Sequence, residues 1–138
     1  MTVGAEPLRL SLAIRDEIID HAQAELPREC CGVIAGIDGQ ATGLYRLTNI
    51  EAGNRLYRVD DTELYRIYRE IDEQGGEFLA IYHSHPVSPA YPSATDVELA
   101  FWADAYYVIC SLAVPAAPEV RAFRIRNEVI TEPGLITI

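Results

Sequence analysis

Phe78-Leu79-Ala80-Ile81-Tyr82-His83-Ser84-His85-Pro86 constrains the fold more than any other stretch of this chain. Its first five residues are apolar and aromatic, which predicts a strand. Strand side chains alternate between faces, so His83 and His85 project from the same one. Pro86 has no N–H to give a ladder, so the strand is expected to stop there and leave both imidazoles at a sheet edge or mouth. Ten residues then intervene before Asp96, within Ser93-Ala94-Thr95-Asp96. Two histidines and a carboxylate with a fourth position left open form the ligand pattern of a catalytic zinc site, not of a closed structural one.

The rest of the composition narrows the setting. A chain of 138 residues is most simply one domain, 1–138. That length can bury roughly two thirds of its unfolded surface, enough for a core without disulfides. The net charge of −10 argues against nucleic acid or an anionic membrane as the main partner. No basic region followed by an apolar run opens the chain, and no apolar stretch approaches membrane-spanning length, so a cytoplasmic location is expected. Cys30, Cys31 and Cys110 are odd in number and lack paired spacing. They read as buried small hydrophobes, with a Cys31–Cys110 pairing left open.

Periodicity sets out the elements. The expected strands are 8–13, 31–37, 43–50, 78–85, 106–113 and 119–126, with Asp38-Gly39 as a hairpin turn. The expected helices are 15–26, stopped by Pro27; 61–74, opened by an Asp60/Glu63 capping box and closed by Gly75-Gly76; and 94–103. A short extended piece covers 56–59, and a tail follows 126. Strands and helices mix without strict alternation, which gives an α/β fold with a mixed sheet flanked by helices. His21 reads as part of the polar face of the first helix, and Trp102, Tyr106 and Tyr107 as packing residues.

Each site residue also has a plainer reading. A single histidine is more often structural than ligating, but two side by side on an apolar strand waste hydrogen-bonding capacity unless something uses them. Ser93 and Asp96 have the spacing of a helix capping box. Both roles can hold at once. A hydrolytic metal site also needs a proton acceptor, and a carboxylate in dry surroundings suits it. Glu29, in Pro27-Arg28-Glu29-Cys30-Cys31-Gly32, is the candidate; an ordinary loop acid is the alternative.

Glu29, His83-Ser84-His85-Pro86, Ser93 and Asp96, in this order and spacing, together resemble the signature of the JAMM (MPN-plus) metalloproteases. The likeness spans about Leu12 to Leu112. It implies a mixed sheet between helices, related in outline to the cytidine deaminases. It implies one zinc ion per chain held by His83, His85 and Asp96, with Glu29 as general base and proton donor, and Ser93 assisting the water or the developing oxyanion. The implied activity is hydrolysis of a peptide or isopeptide bond after the C-terminal Gly-Gly of a ubiquitin-like protein. Asn49, Asn54-Arg55-Leu56-Tyr57-Arg58-Val59-Asp60 and Ala90-Tyr91-Pro92-Ser93 resemble the bacterial cysteine-biosynthesis branch, which implies release of cysteine from a sulfur-carrier protein. The carrier tail is expected along a strand edge, with 54–59 as the candidate and an ordinary connecting strand as the alternative.

Three rivals follow. One is a desampylase-like isopeptidase that removes ubiquitin-like modifiers from lysine. Another is a non-catalytic MPN scaffold, which the intact set of five residues argues against. The third, a zinc nucleoside deaminase, requires His-x-Glu and Pro-Cys-x-x-Cys, and the sequence has neither. Carrier identity and assembly state, a homodimer included, stay open at this stage.

Overall fold

A computed structural model describes residues 6–51, 53 and 56–138. Eight strands form one sheet around the histidine strand. They are β1 (Leu8–Leu10), β2 (Cys31–Ile37), β3 (Gln40–Leu47), β4 (Glu77–His85), β5 (Tyr106–Ser111), β6 (Glu119–Arg126), β7 (Val129–Thr131) and β8 (Leu135–Thr137), in the order β7-β6-β5-β4-β2-β3-β1-β8. β4 pairs antiparallel with β2 and parallel with β5. The histidines therefore sit at the end of an interior strand. The expected mouth is found; an edge is not, because β2 and β5 cover both sides of β4.

Alternation along β4 divides the molecule into two layers. Ala80 and Tyr82 face α1 (Leu12–Glu25) and join Leu8, Leu10, Ile18, Ala22, Ile34, Val108 and Cys110 in the larger core. On the opposite face, Ile67 and Ile71 of α2 (Asp61–Glu73) pack on Cys31, Val33 and Leu47. Ile81 and Tyr107 on that face meet Val97, Ala100 and Trp102, in and after α3 (Ala94–Glu98). The odd-numbered face of β4 thus carries Ile81, His83 and His85 toward α2 and α3. All three cysteines are free and buried. Cys31 and Cys110 lie in cores on opposite faces of the sheet, which excludes their pairing.

Several element bounds move from expectation for identifiable reasons. The first strand stops at Leu10 because Ser11 caps α1, its hydroxyl accepting from the Ile14 N–H at 3.2 Å. The return strand starts at Gln40, directly after Asp38 and Gly39, whose φ values of 52° and 79° make a tight hairpin. Asp60 caps α2, but Glu63 does not close a box: its carboxylate accepts from Thr48 N at 2.8 Å. α3 ends at Glu98, five residues short of expectation. Beyond it, Tyr107 Oη accepts from Trp102 N, Arg126 donates to the Ala103 carbonyl and Arg124 to that of Asp104. Tyr107 thus captures an N–H that a longer helix would have used, and the arginines hold the chain beyond it. The tail forms β7 and β8, the latter parallel to β1. His21 is not on a polar face; it is buried, and its Nδ1 meets Tyr82 Oη at 2.7 Å.

Candidate metal centre and active site

β4 brings two imidazoles to the site by alternation alone. The loop after it turns back through Pro89 and Ala90 and delivers Asp96 on α3. His83 Nε2 lies 3.1 Å from His85 Nε2, and Asp96 Oδ2 lies 3.1 and 3.0 Å from the two nitrogens. Both histidines are buried, and Asp96 is partly so. His85 Nδ1 is 2.8 Å from the Pro89 carbonyl. A carbonyl only accepts, so that nitrogen carries the proton and the neutral ring turns a lone pair into the site.

Two imidazole nitrogens and a carboxylate oxygen therefore converge. A divalent cation fits that donor set. A tetrahedron with ligand bonds of about 2.0–2.1 Å has an edge of about 3.3 Å, close to the triangle observed. His85 also lies directly against the Asp96 carboxylate. Burial lowers the proton affinity of its imidazole, but bonds to the Asp96 carboxylate and the Pro89 carbonyl more than offset this and raise it. For Asp96, burial acts upward, and the bonds to both imidazoles overcome it and hold the carboxyl far below the usual range.

Asp96 also serves α3. Its Oδ2 accepts from Ser93 N at 2.9 Å, and its own N–H donates to Ser93 Oγ at 3.1 Å. The capping box and the His83–His85–Asp96 cluster share one carboxylate. Ser93 Oγ accepts within the cap, which leaves its O–H free to donate.

Glu29 enters from the other side, just before β2. Cys30 is pinned to β4 because its N–H donates to Ser84 Oγ at 2.8 Å, and Cys31 is in register with His83. Glu29 is 6% exposed, and its Oε1 has no hydrogen-bond partner among the described residues. Burial pushes its pKa from the ordinary 4.5 up to about 8; the His85 charge opposes this and that of Asp96 adds to it. A carboxyl near neutrality with an unused oxygen can both take and return a proton.

Tyr57, within the expected docking segment 54–59, reaches the site itself. Its ring stacks on His83 at 4.7 Å between centroids, with an interplanar angle of 26°. It also lines a groove of about 680 Å³ bounded by Leu56, Val59, Ile81, Phe101, Trp102 and Tyr107. Asn54 and Arg55 of the expected docking segment lie outside the described residues; 56–59 forms one groove wall. Tyr106 and Tyr107 are buried, and Trp102 stacks on Phe78 at 4.5 Å, as packing residues should. Trp102 and Tyr107 nevertheless face the groove as well.

Both the sequence and the fold are similar to those of known proteins. Residues 11–126 match the model for prokaryotic homologues of the JAB domain, and the chain belongs to that family. It is 37% identical to the CysO-cysteine peptidase of Mycobacterium tuberculosis over 127 residues, 88% of this chain and 87% of that one. It is 42% identical to the desampylase of Haloferax volcanii over 113 residues, 75% and 81% of the two chains. A solution structure from Desulfitobacterium hafniense superimposes with a TM-score of 0.86 at 32% identity, covering 95% of this chain and 92% of that one.

Proposed function

We propose that this chain is a zinc-dependent peptidase that cleaves after the C-terminal glycine of a ubiquitin-like sulfur carrier and releases cysteine. One observation carries the reading: His83, His85 and Asp96 converge within 3.1 Å, and the charges of His85 and Asp96 act on the buried carboxyl of Glu29. The extent of the likeness to the CysO-cysteine peptidase supports the choice of substrate. His83, His85 and Asp96 would hold one ion per chain. When bound, such an ion supplies Lewis-acid polarisation and makes water a nucleophile near neutral pH.

The remaining steps belong to the chain's own residues. The groove beside Tyr57 takes the extended carrier tail, with its scissile carbonyl at the histidine end. Glu29 Oε1 accepts a proton from the attacking water as the new C–O bond forms. The Ser93 hydroxyl donates to the carbonyl oxygen as charge gathers there. Glu29 then returns its proton to the leaving amine as the C–N bond breaks. Removal of cysteine from a carrier supports a cytoplasmic setting.

The 42% identity to the desampylase favours a second reading, in which the leaving amine is a lysine side chain. Incubating the protein with a carrier–cysteine adduct and a carrier–lysine isopeptide, with and without chelator, separates the two. The first reading expects faster, chelator-sensitive release of cysteine. Preferential cleavage of the isopeptide would select the second, and cleavage of neither would remove both.

A further inference from the structure

Asn49 lies between the candidate base and the groove wall, and every hydrogen-bonding position of its carboxamide is used. Its Nδ2 donates to the Glu29 carbonyl at 2.8 Å and to the Leu56 carbonyl at 3.4 Å. Its Oδ1 accepts from Glu51 N at 2.9 Å and from Arg58 N at 3.0 Å. Two donors and two acceptors are all that a carboxamide has. The residue is 2% exposed, so none of these bonds can be passed to bulk water.

The arrangement has a direction. Leu56 and Arg58 flank Tyr57, whose ring rests on His83. Unlike His85, His83 has no hydrogen bond among the described residues to steady its far nitrogen: Nδ1 is buried and unpartnered there. Ligating histidines usually gain their orientation from such a bond. In this site the stacked ring fixes the orientation, and Asn49 fixes the backbone on both sides of that ring. The same carboxamide holds the main chain of Glu29. Arg28 Nη2 donates to the Asn49 carbonyl at 2.6 Å and also to that of Glu51, tying the clamp to the base's own neighbour.

We propose that Asn49 is a positioning residue that holds the Glu29 main chain and the Tyr57 ring in register across the site, so that the proton acceptor and the substrate-binding wall form one rigid unit. The proposal rests on the reading of Glu29 as base and of the groove as the seat of the tail. It does not depend on which amine leaves.

Two variants and one native measurement test it. N49A removes the whole clamp. Its kcat should fall about tenfold to a hundredfold, the range for a displaced catalytic group, and its KM should rise. The ring-current displacement of the His83 ring protons, read by NMR on metal-free protein, should disappear. N49D keeps an acceptor for Glu51 and Arg58, which still holds one flank of the Tyr57 ring, but loses the donor to the Glu29 carbonyl and the longer one to Leu56. It should retain the His83 signal and KM while kcat falls, a split that general loss of stability does not produce. In the native protein, the Arg58 and Glu51 amides should exchange slowly; exchange at the rate of free loop amides would overturn the clamp even if neither variant folded. An N49A protein with native kcat, KM and His83 signals, altered only in melting temperature, would likewise overturn the proposal. The NMR and exchange readings need no substrate, so they stand apart from the choice between cysteine and lysine.

Discussion

Glu29→Gln should separate catalysis from stability in opposite directions. With no cation bound, burial pushes the Glu29 pKa up to about 8, whereas the ordinary value is 4.5. Between those limits the folded state binds more proton than the unfolded chain, so stability falls as pH rises through that window. At pH 7 the unfolded carboxyl is ionised by about 2.5 pH units, at about 1.4 kcal/mol each, and the native protein gives up about 3 kcal/mol. Glutamine keeps the shape and carries no titrating proton. Urea unfolding of metal-free protein at pH 4 and pH 7 should therefore show E29Q gaining on the native protein by about 3 kcal/mol across that interval. Its turnover should fall by about a hundredfold or more, the usual loss of a positioned base, with metal still bound. Parallel pH-dependences of stability, together with turnover within a few-fold of native, would refute the assignment of Glu29 as a buried base.

Two further outcomes follow from the geometry. Ser93→Ala should lose about a hundredfold to a thousandfold in kcat if its hydroxyl serves the oxyanion, while elemental analysis shows unchanged metal content; a native kcat would reduce Ser93 to a helix cap. Tyr82→Phe removes the partner of buried His21 Nδ1 on the face opposite the site. It should lower unfolding stability by about 1–3 kcal/mol and leave kcat/KM unchanged, as denaturation and steady-state assays would show.

The parts legible in the sequence share a physical cause. Period-two alternation needs only neighbouring residues, so the common face of His83 and His85 could be read directly, and Pro86 marked the strand's end. Asp38-Gly39 announced its turn because glycine accommodates positive φ without cost. Asp96 was different. Nothing local says that a proline-rich loop folds back onto β4, so the residue types could suggest Asp96 as a third ligand but not how the chain would bring it there. Asn127 and Glu128 turn the chain at φ 50° and 64°, without the glycine that usually signals a hairpin, so β7 went unseen. β8 is three residues long and finds β1 from the far end of the chain. Buried polar contacts such as His21–Tyr82 and Asn49–Glu29 join residues 61 and 20 positions apart, and their side chains show no pattern until the sheet is assembled.

Metal uptake tests the central claim most directly. Native protein, stripped with chelator and then given zinc, should return about one ion per chain by elemental analysis, the stoichiometry of a single three-ligand site. His85→Ala and Asp96→Ala should each abolish that uptake. Protein that stays metal-free in excess zinc, or binds it equally well without His85 and Asp96, would contradict the account.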